Sequence, residues 1–249
     1  TLVSGTNYTY GYSANTNVGT ATITVTGKGN YTGTKNITFT ISRAKTATAS
    51  AANKTYTGSE QTGVTGSGVT WTGTTKATDA GTYTATATPD GNHAWSDGTT
   101  GAKSVSWTMS PKTLTVPASP AAKTYNGASQ ASGISAPAGS SIVTASSTTS
   151  ATNVGTYNVV IQLSSTKNYK WSDNTTANKT ITWKINAYNL SNATIASVSA
   201  QTYTGKAITP TPAVTVPIPS GKTTTLVSGT NYTYGYSANT NVGTATITV

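Results

Sequence analysis

Residues 1–25, TLVSGTNYTYGYSANTNVGTATITV, recur letter for letter at 225–249, an offset of 224 residues. Self-similarity at a fixed spacing is the signature of a repeat architecture. The identity extends to Asn, Thr and Ser positions, which places the copying at the level of a long unit. The chain therefore reads as one full period of a longer tandem array plus a short overlap. A chain of this kind folds as a succession of like modules.

Shorter motifs subdivide the period. Lys54-Thr55-Tyr56-Thr57-Gly58, Lys123-Thr124-Tyr125-Asn126-Gly127 and Gln201-Thr202-Tyr203-Thr204-Gly205 mark three openings. Asp79-Ala80-Gly81-Thr82-Tyr83, Asn153-Val154-Gly155-Thr156-Tyr157 and Asn241-Val242-Gly243-Thr244 mark three middles. The boundaries that follow are 1–42 for the C-terminal part of one module, 43–110 and 111–186 for two whole modules, and 187–249 for the N-terminal part of a third. That third module is of the same type as 1–42. Three stretches join them: Ser42-Arg43-Ala44-Lys45, Ser110-Pro111-Lys112 and Asn186-Ala187-Tyr188. They are too short to act as flexible linkers.

Within each module the pattern is that of strands. Tyr8, Tyr10 and Tyr12 alternate with Thr and Gly, and Ala21, Ile23 and Val25 alternate with Thr, a period of two. The closing strands read the same way, with Ile37, Phe39 and Ile41 expected to face inward, then Val105, Trp107 and Met109, then Ile181, Trp183 and Ile185. Thr is about a quarter of the chain, and charged residues are only 8%. Thr and Tyr suit pleated surfaces, while the helix formers Leu and Glu are scarce. The expectation is an all-β chain of tandem β-sandwiches.

The middle motif, Asp79-x-Gly81-x-Tyr83-x-Ala85, is similar to a strand signature of immunoglobulin-like domains, in which a Tyr folds back at the sandwich corner. Ala85, Val159 and Ile247 stand where such domains carry a Cys, and Ala245 replaces the Tyr in the third module. Together with the three Tyr-x-Gly openings, Gly5-Thr6-Asn7-Tyr8 and Gly27-Lys28-Gly29-Asn30-Tyr31-Thr32-Gly33, the chain resembles the bacterial immunoglobulin-like repeats of surface proteins of the MBG type. The resemblance implies stalk modules in an elongated array on an exported protein, located outside the cell, and no reaction. Tyr83, Tyr157, Gly81, Gly155, Gly243, Trp107 and Trp183 are its structural signature positions. The neighbouring repeats of the same polypeptide are the expected partners.

The residues offer little to chemistry. There is no Cys, and the single histidine, His93, lies in a loop without metal-ligand partners. The acidic residues Glu60, Asp79, Asp90, Asp97 and Asp173 lack calcium-loop spacing. No positioned acid–base pair is visible. No catalytic residue, metal or cofactor is assigned, and the chain is not expected to be an enzyme. A carboxylate-assisted cross-link is excluded in the third module, which has no Asp or Glu. Fifteen basic residues against five acidic ones give a net charge of +10. This suits solubility, or attraction to anionic polymers. The lysines are scattered singly, which argues against specific nucleic-acid binding. No apolar run is long enough for a membrane span. Two alternatives stand beside the stalk. Trp95 and Trp171, in matched loops, are candidate glycan-stacking residues of a wall-polymer-binding repeat. Lateral self-association into a filament or sheath is the other.

Overall fold

In a computed structural model the chain is described at residues 1–218 and 222–249. It is all-β: the described residues hold no α-helix, only single 3-10 turns at Thr144–Ser146 and Leu190–Asn192. They form two compact units, one of residues 1–115 with 163–176 and one of residues 116–162 with 177–249. The segment 163–176, which the repeat spacing places in the 111–186 module, thus packs with the first unit.

The first unit begins with a three-stranded antiparallel sheet of β1 (Tyr8–Ser13), β2 (Gly19–Gly27) and β3 (Thr34–Ile41). A four-stranded sheet follows, in the order Lys54–Thr55, Lys103–Ser110, Gly81–Pro89, Val69–Gly73. Thr48–Ala51 pairs with Val64–Ser67, and Gln61–Thr62 with Lys76–Ala77. The core forms where these sheets face one another. Val64 from a two-stranded sheet meets Ala85, Trp107 and Met109 from the four-stranded one. A second cluster holds Ala47, Ala87 and Trp95, and Trp71 packs against both. Alternation explains the partition: Ala85, Ala87 and Pro89 of Gly81–Pro89 are buried, while the Thr residues between them lie further out.

The second unit repeats the large sheet. Its order is Lys123–Thr124, Lys179–Asn186, Gly155–Leu163, Ser140–Ile142. Register repeats too, with Tyr83 opposite Trp107 and Tyr157 opposite Trp183. In each unit a short opening strand runs parallel to the closing one, Lys54 beside Met109 and Lys123 beside Ile185. Val159, Ile161, Ile181, Trp183 and Ile185 are buried. Residues 187–249 add a three-stranded sheet, Thr194–Ile195, Val214–Ile218, Lys222–Thr225, and a pair, Gly235–Ser237 with Thr246–Thr248.

The two identical segments fold alike. Tyr12 pairs with Ile23 and Tyr236 with Ile247, the same register 224 residues apart. The Val3 amide donates to Asn7 Oδ1 at 2.8 Å, and Val227 to Asn231 Oδ1 at 3.0 Å. Ala14 and Ala238 take the same left-handed turn, at φ 51° and 53°. Local sequence alone therefore sets this hairpin.

One expectation is corrected. Ile37 and Phe39 of β3 do not face a core but are exposed, at 54% and 41%. Their alternation is that of an inward face, and Ala21, opposite Phe39 on that face, is fully buried, but Ile37 and Phe39 themselves stay largely open.

Candidate functional site

The middle motifs build identical corners. The Tyr83 hydroxyl donates to the Asp79 carbonyl at 2.7 Å, and the Tyr157 hydroxyl to the Asn153 carbonyl at 2.6 Å. Each ring lies along a buried Trp, Tyr83 on Trp107 at 4.8 Å between centroids and Tyr157 on Trp183 at 5.0 Å. The glycine between lies against the folded-back ring, more tightly in the second corner than in the first. A Cβ on Gly155 would come within 3.0 Å of the Tyr157 hydroxyl, and one on Gly81 within 3.4 Å of the Tyr83 ring. In the third copy Ala245 replaces the Tyr, and Gly243 is needed for a different reason, a φ of +145°. The indole Nε1 of Trp107 donates to the Thr74 carbonyl at 2.8 Å, and that of Trp183 to Thr148 at 2.7 Å. The signature residues Tyr83, Tyr157, Gly81, Gly155, Trp107 and Trp183 thus come together in two equivalent clusters.

Each corner of the first unit also receives a loop from the module that follows it. Asn168 is buried, and its Oδ1 accepts from the Ala80 amide while its Nδ2 donates to Asp79 Oδ1, both at 2.8 Å. Asn92 does the same one module earlier. Its Oδ1 accepts from the Val18 amide and its Nδ2 donates to Asn17 Oδ1, both at 2.9 Å. The backbone of each Asn holds the linker as well: Ala44 donates to the Asn92 carbonyl at 3.0 Å and Lys112 to the Asn168 carbonyl at 2.9 Å. One residue thus ties the preceding corner, the linker and its own loop. Tyr56 meets Tyr169 edge to face at 5.3 Å beside the second joint.

Charge reinforces the second joint. Hydrogen bonding from Asn168, then from Lys167, holds the Asp79 carboxyl below the usual carboxylate range. A depressed folded-state value means that the carboxylate stabilises the joint above its ordinary pKa, about 3.9. That contribution is lost as pH falls through the lowered value. Hydrogen exchange at the Ala80 amide is therefore expected to accelerate below about pH 4, relative to its intrinsic rate. Asn168→Ala should accelerate the same amide at neutral pH, at a cost of about 1–3 kcal/mol for the stranded polar groups. Unchanged protection at Ala80 in that variant would remove the joint from the account.

The Trp loops have a structural task. Trp95 is 4% exposed and Trp171 fully buried, so neither ring offers a face on which a sugar could stack. Both loops close identically. The Thr99 amide and hydroxyl donate to Asp97 Oδ1, and those of Thr175 to Asp173 Oδ1. Gly98 at φ 85° and Asn174 at φ 64° make the left-handed turn. Trp95 Nε1 donates to the Gly101 carbonyl at 2.7 Å. Burial of a large apolar ring under a self-closed loop is the stronger driving force here.

His93 Nδ1 lies 2.6 Å from Asp90 Oδ1, and hydrogen bonding from His93 is the first cause of the lowered Asp90 pKa. The pair braces the loop that presents Asn92. Among the described residues no three His, Cys, Asp or Glu side chains are grouped to hold a metal ion. No helix among them is long and apolar enough to cross a membrane.

Sequence reasoning did not single out Asn92 and Asn168. The signal was present, since each stands three residues before the loop Trp. Trp71, which has no counterpart in the other repeats, bridges the two core clusters of its module.

No protein-family model matches the chain, and no curated protein matches it. Among solved structures, the chain is similar to one of protocadherin gamma B7 extracellular cadherin domains 1–4. The identity is 9%, the TM-score 0.19, and the match covers 90% of this chain and 70% of that one.

Proposed function

We propose that the chain is a segment of a tandem array of immunoglobulin-like sandwich modules, forming an extended stalk or fibre on a bacterial surface. The observation that carries this reading is the recurrence of one joint. Asn92 and Asn168 clamp two successive linkers and corners with the same hydrogen bonds. A clamp repeated at successive junctions stiffens a series of modules, and nearest-neighbour contacts of this kind stabilise repeat proteins. The role is mechanical: to project and space a further part of the protein, with Thr-rich faces toward water. Burial of Trp95 and Trp171 removes the sequence argument for glycan stacking. It does not bear on charge attraction between the lysines and anionic polymers.

Small-angle scattering from arrays of one, two and three 224-residue periods tests the reading. With about 30–40 Å per module, from strand rise plus loops, the maximum dimension should grow by about 90–120 Å per period. A dimension that barely rises with added periods would overturn it.

A further inference from the structure

The three module openings build the same turn with different side chains. The Ser59 amide donates to Thr57 Oγ1 and the Lys206 amide to Thr204 Oγ1, both at 3.4 Å, while the Ala128 amide donates to Asn126 Oδ1 at 3.0 Å. The glycine after each is left-handed, at φ 90° for Gly58, 75° for Gly127 and 71° for Gly205. A hydroxyl in this turn is chemically inert. A carboxamide is not, because its carbonyl carbon is an electrophile close to the next backbone nitrogen. Asn126 is followed by Gly127, and no other Asn in the chain precedes a Gly.

The turn leaves each reacting group available. Asn126 is half-buried and Gly127 exposed. Among the described residues, neither the Gly127 amide nor Asn126 Nδ2 donates a hydrogen bond. Gly127 carries no Cβ to shield its nitrogen. The Ala128 amide is bonded to the oxygen on which negative charge develops when Cγ is attacked, and a fixed donor there stabilises that charge. Asn92 and Asn168 form the contrast, since both ends of each carboxamide are engaged at a joint.

We propose that Asn126 is a self-modification site, converted through a cyclic imide to aspartate and isoaspartate with water as co-reactant. Asn is a thermolabile residue, and this turn exposes one to its own backbone. The Gly127 nitrogen gives up its proton to solvent base and forms a bond to Asn126 Cγ. The Cγ–Nδ2 bond breaks, and Nδ2 leaves with solvent protons as ammonia. Water then adds at either imide carbonyl. Opening at Cγ yields aspartate, and opening at the main-chain carbonyl yields isoaspartate, in which the chain runs through Cγ. Nothing is oxidised or reduced.

The consequence falls on the linker that follows the module. The Tyr125 amide donates to the Asn186 carbonyl at 2.9 Å, and Gln130 Nε2 to the Thr124 carbonyl at 3.0 Å, so the turn is anchored on both sides. Asn186 ends the closing strand and begins the Asn186-Ala187-Tyr188 linker. Isoaspartate inserts an extra carbon into the backbone between the two anchors and so loosens the Tyr125 bond. Aspartate adds only charge. None of this depends on the stalk reading.

Peptide mapping by mass spectrometry tests the proposal on the full chain, kept folded at mildly alkaline pH. Asn126 should lose its amide before any other Asn, and digestion in heavy-oxygen water marks conversion that arises during handling. Hydrogen exchange at the Tyr125 amide should accelerate in the isoaspartate fraction and stay slow in Asn126→Asp, which adds the charge without the extra carbon. Asn126→Thr, which copies the Thr57 turn, should keep Tyr125 protected through the same incubation. An Asn126 that keeps its amide while other Asn residues convert, or that converts only with heavy oxygen at residue 126, would sink the proposal. Equal loss of Tyr125 protection in Asn126→Thr would sink it too.

Discussion

Trp183→Ala is expected to destabilise its module by about 3–5 kcal/mol, the range for removing a buried Trp. The indole is 2% exposed, lies along Tyr157 and donates to the Thr148 carbonyl, so its loss opens a cavity and strands an acceptor. Trp107→Ala should cost a similar amount in the preceding module, where the ring has the same partners in Tyr83 and Thr74. Global unfolding is a poor readout in a multi-module chain, which need not melt in one step. Hydrogen exchange separates the modules. In Trp183→Ala, amides of Gly155–Leu163 should lose about two to four powers of ten in protection, while those of Gly81–Pro89 keep theirs. Uniform loss in both strands would show that the modules do not fold as separate units.

Gly63→Ala should be nearly as damaging although it adds a single methyl group. A Cβ there would sit 1.9 Å from Cδ2 of Trp107, inside the ring's van der Waals envelope. The backbone has no room to retreat. The Gly63 amide donates to the Thr75 carbonyl at 2.9 Å, and its own carbonyl accepts from Ala52 at 2.8 Å. Overpacking of a well-filled core costs about 1–3 kcal/mol, and a pinned backbone puts this site at the upper end. Because the clash is with one side chain, the two changes must couple. Gly63→Ala combined with Trp107→Ala should cost less than the sum of the single variants, a coupling measurable in a double-mutant cycle. Strict additivity would mean that the ring is not what Gly63 accommodates.

These two sites differ in how visible they were beforehand. Trp107 announced itself through period-two alternation with Val105 and Met109, because a strand's geometry is local and its faces can be read from the letters. Gly63 did not. Nothing in Gln61-Thr62-Gly63-Val64 shows that an indole from 44 residues downstream lies against its backbone. The joint Asn residues fall between. Their matched offset from the loop Trp was legible, but their target was not, since the Asp79 corner and Asn168 are 89 residues apart in the chain. Ile37 and Phe39 show the converse. Their alternation correctly describes an apolar face, and yet what faces that side is decided elsewhere.

By itself the sequence determined the all-β class, the recurrence of residues 1–25 at an offset of 224 and the fold-back corners, and it made residues 1–25 and 225–249 one hairpin with one register. All of these follow from side-chain alternation, turn residues and identity, which act over a few neighbouring residues. Only the tertiary structure decided that the loop Trp rings are buried under their own loops and that Asn92 and Asn168 clamp the linkers. Each of those outcomes depends on which surface arrives opposite a given face. Burial and hydrogen bonding are set by that meeting of distant segments, and no local pattern encodes it.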